Sequence, residues 1–418
     1  MLAKILHTFT SRVGIAGLNF LIVMLTAQIL GASGRGEIGI FGANLTLVIL
    51  FTGILGGTGL AYLTPRTNIY QLLLPAYLWS VLVSGLVTGL LYFLDQVPPE
   101  YAGHLFGLSL LLALFTVNTT VLVGKEKVKV FNYLSFLQTL LLIGVLAAGF
   151  LVFKLQTIAF YFTALYWAYG ITFALSLVAV LLLPDRPDFS GFQQNLLHLL
   201  RFGSTAQLSN IITFLNYRLG YYFLNTLTDS KAVGIFSVGV SLSEAIWMVG
   251  RSLALVQYAK LVNTEDPEAA KQLTIKLARL SFMVTALAVL VLALLPPVVF
   301  QLIFGQEFGS VNTVIWSLGL GIIAIGTSTI FSHYFAGRGK YNVNNWASFS
   351  GLLLTVPACW LLIPKFGFVG AALASTFSYL VAFAFLYWKF RRETGFTLAQ
   401  LLPGREDFQE LKKLLRRK

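Results

Sequence analysis

The residues of this chain that could do chemistry are few, and the most telling of them sit in apolar company. Arg218, Glu244 and Arg251 each lie inside a long apolar stretch. A charged side chain there is costly unless it faces a protein interior or a water-filled cavity and finds a partner. At helical spacing, Gln207, Asn210, Phe214, Arg218 and Tyr221 fall on one stripe, and Ser237, Glu244, Trp247 and Arg251 fall on another. A guanidinium at Arg218 suits a phosphate group, which it can meet bidentately. Its other use is to snorkel or to hold helix-end carbonyls. Glu244 is the one carboxylate near the centre of such a stretch, so it must be protonated or paired with a cation such as Arg218 or Arg251. Two roles stay open for it: carrier of a coupling proton or sodium ion, and member of a fixed ion pair.

A third polar line runs through Arg12, Asn19 and Thr26, which recur every seven residues. Arg12 would stand at the cytoplasmic entrance, where it can draw in an anionic headgroup or set topology. Hydroxyl-rich turns at Thr116, Asn118, Thr119 and Thr120, and again at Thr327, Ser328, Thr329, Ser332 and His333, are expected to satisfy backbone groups or neighbouring helices. The single Cys359 excludes a disulfide framework. No spacing of His, Cys or carboxylates suggests a metal site, a hydrolytic centre or a bound cofactor.

The elements that must position these residues announce themselves by rhythm. Twelve apolar stretches of about twenty residues, the first at 13–32 and the last at 369–390, match the length needed to cross a hydrocarbon core about 30 Å thick. Composition agrees: 57% of residues are hydrophobic and 11% are charged, against about 25% charged in soluble domains. The net charge of +13 is not a nucleic-acid signal, because Lys and Arg sit at helix ends rather than among stacking aromatics. With twelve crossings, one membrane side takes most basic residues and the other only Arg35, Lys154, Lys231 and Lys365. That bias places both termini in the cytoplasm. The first apolar stretch, though preceded by Lys4 and Arg12, is longer than a signal-peptide core and reads as an uncleaved helix.

The chain also repeats itself. VLVGKEKVKVFNYLSF (121–136) aligns without gaps on YFAGRGKYNVNNWASF (334–349), and LGASGRGEIGIF (30–41) echoes NTLTDSKAVGIF (225–236). The expected fold is an all-α integral membrane protein of two parallel six-helix repeats, an architecture of transporters. The N-lobe would be 1–183, a cytoplasmic linker 184–202, and the C-lobe 203–391. Residues 392–418 form a basic tail, in which Phe408, Leu411, Leu414 and Leu415 share a face suited to anionic lipid. Pro357 should kink its helix, and Gly53, Gly56, Gly57 and Gly59 should allow close approach or bending.

Several segments resemble the bacterial polysaccharide transporter family, which includes the O-antigen flippases of the multidrug, oligosaccharidyl-lipid and polysaccharide exporter superfamily. They are LGASGRGEIGIF, NTEDPEAAKQL (263–273), FGQEFGSV (304–311), AGRGKYNVNNW (336–346) and LLIPKFGFVGAALAST (361–376), and the resemblance covers essentially the whole chain. It implies a flippase of the bacterial inner membrane and no enzyme. The cargo would be a polyprenyl-diphosphate-linked oligosaccharide, moved by alternating access with Arg218, Arg251, Arg12, Asn19, Gln207 and Asn210 lining the cavity and Glu244 as coupling-ion candidate. The implied partners are that lipid-linked substrate, membrane lipids and polysaccharide synthesis machinery. Two other functions remain: a cation antiporter of the same superfamily for drugs or metabolites, and a membrane glycan polymerase or ligase. The charge bias makes a direct prediction. Reporter fusions after Lys129 and at the C-terminus should both read cytoplasm, and a periplasmic signal at either would remove the twelve-crossing topology.

Overall fold

The computed structural model of the chain describes residues 2–188, 190–261 and 266–402, and among them there are helices and no strand. The first helix, α1 (Leu2–Gly56), has 55 residues and breaks at Gly31, whose φ of 69° and ψ of −173° only glycine adopts readily. At 1.5 Å per residue it runs about 80 Å, so its two arms cross a bilayer once each. A short α2 (Thr58–Leu63) follows. Then come α3 (Ile69–Phe93), α4 (Pro99–Gly124), α5 (Val128–Ala147) and α6 (Ile158–Leu181). The second half has α7 (Phe192–Leu227), α8 (Ser230–Leu261), α9 (Pro267–Leu294), a short α10 (Pro297–Phe304), α11 (Val311–Gly337), α12 (Tyr341–Phe366) and α13 (Phe368–Thr394).

Among the described residues ten helices are long and apolar enough to cross a membrane, one being the doubled α1. With the arms of α1 counted apart and α7 added, the twelve crossings expected from sequence are all helical. Local signals set the ends. Asn68 caps α3 by accepting from the Tyr70 amide, and Thr157 caps α6 through Phe160. Asp266 caps α9 just ahead of Pro267. Each such cap contributes about 1 kcal/mol. At Pro357 and Pro364, α12 stays one continuous helix.

Sides of these helices are sorted by polarity in the opposite sense to a soluble protein. On α3, Leu78, Leu82, Leu86 and Leu90 are exposed, while Ser80, Ser84 and Thr88 are buried. On α9, Leu287, Leu290, Val291 and Leu294 are exposed and Thr274, Ser281 and Thr285 are buried. Lipid accepts the leucines, and several of the hydroxyls bond carbonyls: Ser80 to Ala76, Thr274 to Ala270, Thr285 to Ser281.

Two compact units divide the chain. The first comprises Met1–Phe214, Asp229–Gly234 and Ile303–Gly305, and the second Leu215–Thr228, Ile235–Leu302 and Gln306–Lys418. In the first unit α4 packs on α3 and α6, and α1 on α3, α4 and α5. Asn118 joins three of these helices, donating to Ser176 Oγ at 2.9 Å and accepting from the Tyr77 hydroxyl. In the second unit α11 packs on α9 and α13, and α13 on α12. Phe331 stacks on Phe390 at 4.8 Å between ring centres, and Phe396 closes over both. Phe396 reaches that place because Gly395 ends α13 in the left-handed region, at φ 71°. Beyond Leu402 the basic tail falls outside the described residues, as do Asn263, Thr264 and Glu265 of the segment before α9.

Asp185, Arg186, Asp188 and Ser190, all in the expected linker, are stapled to the start of α3 and the end of α4. Lys125 pairs with Asp185 at 3.0 Å, Asn68 donates to the Arg186 carbonyl, and Gln71 donates to Asp188 at 2.5 Å and to Ser190. The Ser190 amide, then its hydroxyl, then Gln71 hold the Asp188 carboxyl below the usual carboxylate range. A depressed carboxylate contributes stability above its unfolded value, near 3.9, that is lost as pH falls through the folded one. Limited proteolysis should therefore find this segment protected at neutral pH and more readily cut below about pH 4. Asp188→Ala and Gln71→Ala should raise cleavage at neutral pH.

Candidate functional site

The geometry of the second unit gathers the intramembrane charges named from sequence. Arg218 Nη2 lies 2.8 Å from Glu244 Oε1, joining α7 to α8. The structure thus selects Arg218, not Arg251, as the partner of Glu244. Arg251 is exposed, and its guanidinium sits 4.2 Å from the ring centre of Trp247, one turn earlier on α8. Tyr217 meets Trp247 edge-on at 4.8 Å and Tyr379 of α13 at 5.6 Å. The result is an ion pair walled by aromatic rings.

The pair does not use all its hydrogen-bonding capacity. Arg218 Nη1, Trp247 Nε1 and the Tyr222 hydroxyl are buried and have no hydrogen-bond partner among the described residues. Unmade bonds of this kind cost about 1–3 kcal/mol each. No acceptor among the described residues meets any of the three. The side chains of the pair keep 26% and 35% exposure respectively, so solvent or ligand can reach it.

One residue that holds this arrangement was not singled out from sequence. Asn216, two residues before Arg218 and 4% exposed, accepts from Thr355 Oγ1 of α12 at 3.1 Å and from the Ser378 hydroxyl of α13. This knot fixes the part of α7 that carries Arg218. A lone Asn in an apolar helix was the available signal, but its partners lie 139 and 162 residues away.

The rest of the predicted set is placed elsewhere. Gln207 and Asn210 belong to the first unit, joined by a 2.5 Å hydrogen bond, and Gln207 is buried against Gly53 and Gly57. Arg12 and Asn19 are exposed on the first arm of α1, while Thr26 is buried and spends its hydroxyl on the Ile22 carbonyl. The hydroxyl-rich turns mostly bond their own helices: Thr116 to Leu112, Thr119 to Phe115, Thr327 to Ile323 and Thr329 to Ile325. His333 Nδ1 lies 2.8 Å from the Thr329 carbonyl. Cys359 is fully buried. Among the described residues no three His, Cys, Asp or Glu side chains come together as a metal site.

This is the fold of transporters of the multidrug, oligosaccharidyl-lipid and polysaccharide exporter superfamily. The structure of the lipid II flippase MurJ in an inward closed conformation superposes with a TM-score of 0.77 at 13% identity, covering 96% of this chain and 89% of that one. An inward-facing multidrug resistance MATE transporter gives 0.71 at 14% identity, covering 90% and 94%. In sequence, the capsular polysaccharide biosynthesis protein CapF of Staphylococcus aureus is 27% identical over 187 residues, which is 44% of this chain and 47% of CapF. An uncharacterized membrane protein of Methanocaldococcus jannaschii is 30% identical over 25% of this chain and 20% of its own length. The matches thus span less than half of either curated relative. No family model matches.

The ion pair makes a stability prediction. Breaking a buried pair costs about 3–5 kcal/mol and an exposed one under about 1, so at this partial exposure Arg218→Ala or Glu244→Gln should each cost about 2 kcal/mol. Thermal unfolding in detergent should show Glu244→Gln/Arg218→Ala less destabilised than the sum of the two single variants.

Proposed function

We propose that this protein is a flippase that carries a polyprenyl-diphosphate-linked oligosaccharide, an O-antigen or other surface polysaccharide unit, across a bacterial inner membrane. It works by alternating access, with 1–183 and 203–391 as its two lobes, 184–202 as their linker, and both termini in the cytoplasm. One observation carries the reading: a guanidinium inside a membrane-crossing helix, with a buried N–H that bonds nothing among the described residues. A diphosphate has the charge and the oxygens to satisfy it. Such a headgroup and its sugars cannot cross hydrocarbon unaided. The likeness to a lipid II flippase in fold and to a capsular polysaccharide biosynthesis protein in sequence supports the same cargo class. Arg251, Arg12 and Asn19 would line the path, and polysaccharide synthesis machinery would supply the cargo.

A second reading is a cation antiporter for drugs or metabolites. It is favoured by Glu244, a partly exposed carboxylate among the rings of Trp247, Tyr217 and Tyr379, since aromatic faces and a carboxylate attract organic cations. The fold likeness to MATE transporters supports it equally.

Reconstituted vesicles separate the two. Leaflet exchange of a fluorescent polyprenyl-diphosphate oligosaccharide should require the protein. It should fall partially in Arg218→Lys, which keeps the charge but loses the fork, and should be lost in Arg218→Ala at equal protein content. Extrusion of a cationic dye against a proton gradient, with no lipid exchange, would hand the site to the antiporter reading.

A further inference from the structure

The charged end of α13 carries a cluster that the Arg218–Glu244 pair does not use. From Phe368 to Trp388 the helix has no charged residue, a run of about 30 Å. That length matches a hydrocarbon core, so Trp388 and the cations after it stand at the depth of lipid headgroups. Trp388 is 45% exposed, and two cations share its ring. Lys389 Nζ lies 4.8 Å from the ring centre and Arg392 Cζ lies 5.1 Å from it, while Lys389 Nζ is also 5.9 Å from the ring centre of Phe385.

These cations lack a counter-charge. Glu393, the acid next to them in sequence, is taken by Lys340 of α12 at 2.7 Å. Among the described residues neither Lys389 nor Arg392 pairs with a carboxylate. A ring attracts a cation without cancelling its charge, and the N–H groups of both side chains remain able to meet an oxygen acceptor. Past Thr394 the chain turns at Gly395 and runs back to α9, where Arg279 Nε donates to the Gln400 carbonyl at 2.8 Å. That stretch leaves Leu398 and Leu402 exposed, so apolar surface borders the charge. All of these residues belong to the second unit.

We propose that this end of α13 is a binding site for one anionic membrane phospholipid, its phosphate held by Lys389 and Arg392 beside the Trp388 ring. Charge complementarity selects the occupant. A phosphate with no cation of its own supplies the missing counter-charge, and Arg392 can meet two of its oxygens at once. A zwitterionic headgroup brings an ammonium that the two protein cations repel. The acyl chains have a surface to follow, because Ala384 and Phe377 are exposed four and eleven residues before Trp388, on the same side of the helix. The inference does not rest on the identity of the cargo or on which side of the membrane this end faces.

Native mass spectrometry of the full chain in detergent tests it, by titration with phosphatidylglycerol and with phosphatidylcholine of the same acyl chains. The protein should bind its first phosphatidylglycerol well above all others, and no phosphatidylcholine at that affinity. Lys389→Ala and Arg392→Ala should each weaken the first binding about five-fold, and the double variant about twenty-five-fold. Trp388→Leu, which keeps apolar bulk but removes the ring, should weaken it by a smaller factor. Lys127→Ala/Lys129→Ala, which deletes two exposed cations of the first unit, should leave it unchanged. Undiminished binding in Lys389→Ala/Arg392→Ala overturns the site. So does an equal loss in Lys127→Ala/Lys129→Ala, which would mean diffuse attraction to surface charge, or equal retention of phosphatidylcholine. Displacement of the bound phosphatidylglycerol by an equimolar amount of farnesyl diphosphate would assign the cations to a diphosphate headgroup instead, and would likewise overturn the phospholipid.

Discussion

Everything in this structure follows from the absence of water in hydrocarbon. Backbone N–H and C=O groups must then be satisfied within the chain, which forces helices through the membrane. The same absence removes the hydrophobic reason for helices to associate, because lipid tails receive leucine as well as a protein core does. What remains to hold α3, α6 and α9 to their neighbours is close packing and a few hydroxyls and amides. Hence Ser80, Ser84, Thr172, Ser176, Ser281 and Thr285 are buried while leucines of the same helices are exposed.

Under that constraint polar residues become the fixed points of the fold. Asn118 ties α3, α4 and α6 in the first unit, and Asn216 ties α7, α12 and α13 in the second. The Arg218–Glu244 pair differs from both knots. It keeps substantial exposure, and its arginine retains a buried N–H with no partner among the described residues. The Asn118 knot, by contrast, uses both its amide nitrogen and its oxygen.

Glycine supplies what polar residues cannot, which is approach of one helix backbone to another. Gly36, Gly203 and Gly234 bring helices to backbone distance, where dispersion is strong but short-ranged.

The sequence by itself determined the helical class, the twelve crossings and the short list of intramembrane charges. Each of these depends on local composition or on the cost of a charge in lipid, and both can be read residue by residue. Helical periodicity put Arg218 with Gln207 on one stripe. Only tertiary structure showed that Gln207 serves a glycine contact in the first unit while Arg218 meets Glu244 in the second. Tertiary structure alone likewise chose Arg218 over Arg251 as the partner of Glu244, and turned Asn216 into a knot with Thr355 and Ser378. Pairing between residues distant in sequence is set by which helix faces meet. In a membrane those faces carry no hydrophobic stripe to announce them, because leucine is as welcome in the lipid as in the core.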